Sequence, residues 1–438
     1  MRLLSYFVTL LFIYSCTENP VDGSDDPINY NNNAVIISLQ DSDNVAIVKS
    51  ENLEVEEEVS IDSNCSEFSN QIECEEMVGC MWHNMENGMS HCMTDHNHDH
   101  DMENGMYQPH DIAVDNINGY WFTTAMMGTK VIMYSVEDNE FIASYNTNSM
   151  PALLDIDEAN KKLYVSGGNP SMGETNKILE LAYNENSLEL IEEWNVQFTY
   201  AHGIHFDETS GYVFAVSKTT DFIAKFNPDE VQTPFVNPMI ASMDSLININ
   251  FTIETKRLWP IEITGKYPYI FITCSAGDWA TGSEYEEIPG QVQMWHMEDM
   301  NLLATYEFDT YSRPWHIEVS PTEDKFYVAL AGGDGENGSS NSGVACIEYS
   351  ATDNQYSMNQ SWIKTSSEYG TLHGITLHSD CDGNYHIYST GRTDGNIYKF
   401  DAQSGEEIGN TNLVSSGSVR TGGIDSFTPP CNADCSCD

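Results

Sequence analysis

The stretch Ala201-His-Gly-Ile-His-Phe, followed by Gly211-Tyr-Val-Phe-Ala-Val and Ile223-Ala-Lys-Phe-Asn, decides the fold. Each run is short and rich in aromatic or β-branched residues. Gly, Asp, Ser or Thr lies between the runs, as in β-strands joined by turns. Between residues 110 and 427 no long stretch has the period of a helix. The stretch is therefore predicted to form three consecutive strands.

The same unit recurs along the chain with a period of roughly 40 to 58 residues, which is typical of repeat architectures. Second strands such as Lys162-Leu-Tyr-Val-Ser-Gly-Gly are aromatic and end in small residues. Four strands per unit around a central channel predict an all-β fold, a seven-bladed β-propeller, with six blades as the alternative. The seven openings are Pro109-His-Asp-Ile-Ala-Val, Pro151-Ala-Leu-Leu-Asp-Ile, Ala201-His-Gly-Ile-His-Phe, Trp259-Pro-Ile-Glu-Ile, Pro314-Trp-His-Ile-Glu-Val, Leu372-His-Gly-Ile-Thr-Leu and Gly422-Gly-Ile-Asp-Ser-Phe.

The last opening is followed by almost no chain, so the other strands of its blade must come from elsewhere. The early runs Ala34-Val-Ile-Ile-Ser-Leu and Val45-Ala-Ile-Val are the expected donors, because closing the ring removes free sheet edges. The predicted organisation is a signal peptide (1–15), an acidic tether (16–33), closing strands (34–58), a Cys-rich module with a His/Met-rich segment (59–109), the propeller (110–427) and a Cys-rich tail (428–438).

The amino terminus predicts export. An apolar run of about a dozen residues from Leu3 to Tyr14 is too short to span a bilayer and is typical of a signal peptide. Cys16 then resembles the lipidated cysteine of bacterial lipoproteins, with plain secretory cleavage as the alternative. Thr17 is not an Asp that would retain the protein at the inner membrane. We expect an outer-membrane lipoprotein of the bacterial cell envelope, anchored by its lipid and facing the periplasm or the exterior.

The charge excludes one class of partner. The 438 residues include 17 Lys and Arg against 68 Asp and Glu, a formal net charge of -51. Such a surface repels phosphate backbones, so a general nucleic-acid binder is excluded. Adaptation to saline surroundings explains most of this charge.

The cysteines also fit an exported protein, in which clustered Cys predict disulfides. The segment from Cys65 to Cys92, with Trp82 soon after Cys80, resembles the small plexin-semaphorin-integrin-type cysteine modules. That likeness implies a small disulfide-rich insertion, whose pairing stays open, and a zinc site is the alternative. The cysteines expected in disulfides are Cys65, Cys74, Cys80, Cys92, Cys431, Cys435 and Cys437.

A linear segment between residues 83 and 106 carries the strongest chemical signal. Histidines alternating with acidic residues in a polar stretch indicate metal capture, and thioethers add affinity for Cu(I). A soluble linker is the alternative. The proposed ligands of copper or zinc here are His83, His91, His96, His98, His100, Met85, Met89, Met93, Met102 and Met106.

A second candidate site lies in the channel. His110, His202 and His373 each stand two residues before the Ile of a blade opening, and His316 stands one residue before it. Equivalent positions in different blades converge on the axis, and neutral imidazoles are good ligands for copper or zinc. The other openings were assigned Ala152, Trp259 and Gly422 at this position, so a ring of seven is excluded. Packing roles for these histidines are the alternative, and the width of a seven-bladed channel is the difficulty.

These repeats resemble the YVTN-repeat propellers and the nitrous-oxide-reductase-type N-terminal propeller superfamily over about 310 residues. The small or His-Gly-Ile openings and the Tyr-Val strands carry the likeness. It implies the propeller fold, and members of the superfamily hold copper on channel histidines. The reductase needs a second copper domain that is not visible here, so its activity is not implied.

The expected function is capture of copper or zinc, which favours a binding protein over an enzyme. A copper-dependent oxidase using the channel histidines, or a metal-free propeller that docks an envelope protein or glycan, are the alternatives. The loop after Gly332 could bind calcium, although its spacing does not match an EF-hand. No phosphate loop or nucleophile elbow identifies a catalytic residue.

Overall fold

The computed structural model describes residues 33–61, 80–84, 90–94, 107–168, 176–196, 198, 200–218, 221–229, 239–242, 256–278, 283–284, 289–333, 342–380, 383–414 and 419–428. Within these ranges the chain forms strands and no helix. None of the described segments is therefore a helix able to cross a membrane.

Seven four-stranded antiparallel sheets are the blades of a propeller. The chain begins with β1 (Ala34–Leu39), β2 (Asn44–Lys49) and β3 (Val55–Ser60), followed by a hairpin of β4 (Cys80–Asn84) and β5 (Ser90–Thr94). Blade 1 is β6 (Pro109–Asp115), β7 (Tyr120–Ala125), β8 (Lys130–Ser135) and β9 (Phe141–Asn146). Blade 2 is β10 (Pro151–Asp157), β11 (Lys162–Gly167), β12 (Lys177–Asn184) and β13 (Ser187–Asn195). Blade 3 is β14 (Ala201–Asp207), β15 (Tyr212–Ser217), β16 (Phe222–Phe226) and β17 (Met239–Ser242).

The remaining strands complete the ring. A separate three-stranded sheet consists of β18 (Lys256–Arg257), β21 (Gly277–Asp278) and β22 (Ser283–Glu284). Blade 4 is β19 (Pro260–Lys266), β20 (Tyr269–Cys274), β23 (Gln291–His296) and β24 (Leu302–Glu307). Blade 5 is β25 (Pro314–Val319), β26 (Lys325–Leu330), β27 (Gly343–Thr352) and β28 (Gln355–Thr365). Blade 6 is β29 (Leu372–Ser379), β30 (Tyr385–Gly391), β31 (Asn396–Asp401) and β32 (Glu407–Asn412), and β33 (Thr421–Phe427) begins blade 7.

The amino-terminal strands complete blade 7. β33 pairs with β1, with Ala34 opposite Phe427 and Ile37 opposite Ile424, and β2 and β3 follow outward. The first strands of neighbouring blades contact each other around the whole ring, from β6 back to β6. The seven-bladed all-β prediction is therefore confirmed, and the six-bladed alternative is wrong.

The first strand of every blade carries the same irregularity. In blade 1, Pro109 pairs with Ala125 and Ile112 with Thr123, so two residues of β6 stand opposite Thr124 alone. The corresponding register shift occurs in the other six sheets. This is a β-bulge, which frees two residues from the ladder and re-aims their side chains.

Hydroxyl side chains opposite these bulges link the blades. Thr124 accepts the amide of Asp111 within blade 1 and donates to the carbonyl of Ala152 in blade 2, both at 3.0 Å. The bulge leaves this amide without a ladder partner, and the hydroxyl satisfies it. Five such hydroxyls donate to the next blade: Ser38, Thr124, Ser166, Thr273 and Thr390.

The predicted disulfide cysteines fall mostly outside the described residues. Cys80 and Cys92 lie on the hairpin of β4 and β5, and the other five lie outside the described ranges, as does Cys381. Cys274 and Cys346 are buried free thiols within the blades.

Candidate functional site

Four histidine rings meet at one end of the channel, where the bulges of blades 1, 3, 5 and 6 place them. The ring centre of His110 lies 6.1 Å from that of His202 and 5.8 Å from that of His373. The centre of His316 lies 4.6 Å from that of His373. All four residues are only 3–7 % exposed. We call these four residues the histidine cluster.

Hydrogen bonds orient two of the rings in the way expected of metal ligands. Nδ1 of His202 lies 2.7 Å from the carbonyl oxygen of Ile261, which accepts only, so Nδ1 carries the proton and Nε2 keeps a lone pair. Nδ1 of His316 lies 2.7 Å from a carboxylate oxygen of Glu262. Ligating histidines usually donate their second nitrogen to a carbonyl or carboxylate in this manner.

The other ring nitrogens differ in their surroundings. Nδ1 of His110 lies 2.5 Å from the side-chain nitrogen of Gln40. Nε2 of His316 and Nδ1 of His373 are buried without a hydrogen-bond partner. An unpartnered buried nitrogen costs free energy, so a ligand that satisfies both would stabilise the cluster.

Burial controls the protonation of the cluster. It lowers the pKa of His110, His202 and His373 well below the ordinary value, with neighbouring positive groups adding to the effect. Burial also opposes protonation of His316, yet the carboxylate of Glu262 outweighs it and raises that pKa. Three of the four rings are therefore neutral at neutral pH.

Below the cluster the channel opens into an acidic chamber of about 680 Å³. Several of its carboxylates also join the blades, since Asp111 accepts the amide of Leu154 at 2.9 Å and Asp425 accepts that of Val114 at 2.8 Å. His316 and Lys266 also line this chamber. Its carboxylates are Asp111, Asp155, Glu158, Asp207, Glu208, Glu262, Glu318 and Asp425.

Burial holds several of these carboxyl groups partly protonated. It raises the pKa of Asp111, Glu158 and Asp425 to about 7 in each case, and raises that of Glu318 well above its ordinary value. A cation that enters the chamber would displace these protons, because an opposite charge favours the ionised carboxylate.

The structure brings together the four predicted channel histidines, although they belong to four different blades of a seven-bladed ring. One register assignment was wrong. Pro260 occupies the place that Pro109 has in blade 1, so Ile261, and not Trp259, is the residue equivalent to His110. Trp259 precedes the strand with a φ of 57°.

The linear segment is described only in part. His83 on β4 pairs with His91 on β5, and Met93 lies on the same hairpin. The remaining predicted ligands, His96, His98, His100, Met85, Met89, Met102 and Met106, lie outside the described residues, as does the loop at 334–341. Across the described residues, no group of three or more His, Cys, Asp or Glu stands ready to hold a metal ion.

Sequence reasoning missed the groups that surround the histidines. Glu262 and Asp111 occupy the second bulge position, directly after the first position, which carries His in blades 1, 3 and 6. The available sequence signal was that each blade opening has two adjacent residues before its Ile or Leu, and that either of them can face the channel. No sequence pattern indicated Gln40, because it lies beside His110 only when β1 pairs with β33 and closes the propeller.

No protein-family model and no curated relative matches the sequence. Among solved structures, a functionally unknown protein from Desulfotomaculum acetoxidans has a TM-score of 0.60 at 12% identity, over 91% of this chain and 100% of that one. Kuenenia stuttgartiensis hydrazine synthase has a TM-score of 0.52 at 12% identity, over 70% of this chain and 80% of that one. The Cps50 (Swd1) β-propeller domain of Myceliophteria thermophila has a TM-score of 0.53 at 7% identity, over 72% of this chain and 89% of that one. At these identities the likeness establishes the propeller fold alone.

Proposed function

We propose that this chain is a metal-binding propeller whose histidine cluster holds one copper or zinc ion. The observation that carries the proposal is the spacing of the four buried rings, 4.6 to 6.1 Å between the measured centres. With metal–nitrogen bonds of about 2.0–2.1 Å, two imidazoles on one tetrahedral ion have ring centres roughly 5 Å apart. The side chains must turn to aim their lone pairs at one point.

The surroundings of the cluster support the same proposal. Neutral His202 and His373 offer lone pairs at neutral pH without first losing a proton. The acidic chamber below draws cations toward the cluster, since a channel lined by one sign of charge raises the local concentration of counter-ions. The proposal includes a relationship of this chain to the YVTN-repeat and nitrous-oxide-reductase-type propellers. The sequences of the blade openings support that relationship.

The His/Met-rich segment is proposed to capture the metal. It ends a few residues before His110 in sequence, so it could deliver an ion to the channel. Its thioethers favour Cu(I), whereas imidazoles and carboxylates also accept Zn(II).

Anchoring at Cys16 is a separate proposal that rests on the apolar run before it. We expect the mature amino terminus, analysed by mass spectrometry of membrane-extracted protein, to begin at an acylated Cys16. A mature chain that begins at another residue, or an unmodified Cys16, would contradict it.

The metal proposal is tested by elemental analysis after loading with copper or zinc and removal of weakly bound ions. Three forms are compared: the full chain, a chain lacking residues 83–106, and a His202→Gln/His373→Gln variant of that shortened chain, in which the segment can hold no metal. We expect one equivalent of metal to survive the deletion and to be lost from the double variant. Metal affinity of such sites depends on every ligand, so the loss should be complete.

His296→Gln is the matched control, because His296 is outside the cluster and pairs at 3.0 Å with Asp299. It should retain the full equivalent. Metal lost only with residues 83–106 would contradict a channel site and leave capture by the segment. No metal in any form would contradict both and favour a propeller that docks a protein or glycan.

A further inference from the structure

The outer side of the histidine cluster is covered by an indole. The Trp315 ring centre lies 4.5 Å from that of His373, at an interplanar angle of 74°. Trp315 occupies the first bulge position of blade 5, the position that holds His in blades 1, 3 and 6. Unlike the four histidines, Trp315 is only half-buried, so part of this residue is exposed to solvent.

Two cationic side chains flank this ring. Nζ of Lys218, directly after β15 of blade 3, and Cζ of Arg392, directly after β30 of blade 6, each lie 5.9 Å from the Trp315 ring centre. Arg392 also donates from Nη1 to the carbonyl of Thr421 at 3.2 Å, which fixes its position. We call Trp315, Lys218 and Arg392 the Trp315 mouth.

Two basic residues meet in this mouth, although the molecule as a whole is strongly acidic. The chain has 17 Lys and Arg against 68 Asp and Glu, yet two basic residues converge on one indole. Their field reaches the cluster, because Arg392 and Lys218 both lower the pKa of His110 and His373. The acidic chamber lies on the far side of the same histidines.

A buried ring nitrogen next to the Trp315 mouth has no hydrogen-bond partner. Nδ1 of His373 is buried without a hydrogen bond, and the ring to which it belongs is in contact with Trp315. A buried nitrogen of this kind is satisfied when a ligand donates to it or accepts from it.

We propose that the Trp315 mouth binds a small organic carboxylate. The carboxylate would accept hydrogen bonds from Lys218 and Arg392, since a guanidinium matches the planar shape of a carboxylate. The apolar part of the ligand would lie against the exposed part of the indole. An inorganic oxoanion has no apolar part to use that surface. The proposal does not depend on a metal in the cluster.

The test measures benzoate binding to the metal-free full chain by isothermal titration calorimetry and by tryptophan fluorescence. We expect millimolar or tighter binding, with affinity reduced about tenfold in Lys218→Met and in Arg392→Met, because each removes one charge-assisted hydrogen bond. Lys364→Met is the matched control, since Lys364 is exposed on the outer strand of blade 5. It should bind as the unmodified chain does.

Each other outcome would overturn the assignment. Sulfate bound as tightly as benzoate would show that the apolar surface plays no part. Benzoate affinity unchanged in Lys218→Met would place the ligand elsewhere, and this variant guards against loss of fold in Arg392→Met, where a hydrogen bond to Thr421 is also removed. No benzoate bound at millimolar concentration would contradict the site itself.

Discussion

His316 differs in protonation from the three histidines around it, although all four are buried alike. Burial lowers the pKa of all four, but the 2.7 Å approach of Nδ1 to Glu262, with a smaller contribution from Asp111, raises the pKa of His316. A histidine whose folded pKa is raised adds stability below its unfolded value of about 6.5, and that stability is lost as pH rises through the folded pKa. The three histidines whose pKa is lowered have the opposite effect: they destabilise the folded protein as pH falls below about 6.5.

Replacing Glu262 by Gln tests this contact. Gln keeps an acceptor for Nδ1 of His316 and for the amide of Ile317, but removes the charge. We expect the pKa of His316 to fall below its ordinary value, measured by NMR titration of the metal-free protein with the resonance assigned from His316→Gln. We also expect a loss of roughly 1.5–3 kcal/mol in the free energy of unfolding at pH 6, and a smaller loss at pH 9.

The surface pair of His296 and Asp299, 3.0 Å apart, supplies the control. Asp299→Asn should change stability little at either pH, because exposed ion pairs contribute little. An unchanged His316 titration in Glu262→Gln would show that the carboxylate does not set its protonation.

At the residue scale, the sequence was enough to find the channel histidines but not what orients them. His110, His202 and His373 share a position relative to a strand, and strand register converts that position into proximity. Glu262 reaches the cluster from blade 4, and Gln40 reaches it from the end of β1 in blade 7. Their contacts depend on the ring geometry, which local patterns do not contain.

At the scale of the strand, the bulge explains why second strands end in small residues. Five of the seven residues opposite a bulge are Ser or Thr, and their hydroxyls bridge to the backbone of the next blade. Blades 3 and 5 have Val216 and Ala329 at this place instead. The repeat was visible in the sequence, but the bulge was not, which is why the opening of blade 4 was aligned two residues too early, at Trp259 instead of Ile261.

At the scale of the whole molecule, the ring makes the two sides of the histidine cluster different. Carboxylates line the chamber on one side, and Lys218 and Arg392 stand on the other. A cation and an anion would therefore approach the same histidines from opposite sides. This polarity exists only because seven first strands form one closed ring, so it depends on the pairing of β1 with β33.

Phe427→Ala tests that closure. Phe427 is 1 % exposed on β33 and packs with Ile36 and Trp121 where blade 7 meets blade 1. Its truncation should cost about 3–5 kcal/mol. Because blade 7 joins both chain ends, we expect the whole unfolding transition to shift, so that tryptophan fluorescence and circular dichroism still coincide in denaturant. Ile408→Ala, at a residue 52 % exposed on β32, should leave the midpoint unchanged. Transitions that separate would mean that blade 7 opens on its own and does not hold the ring together.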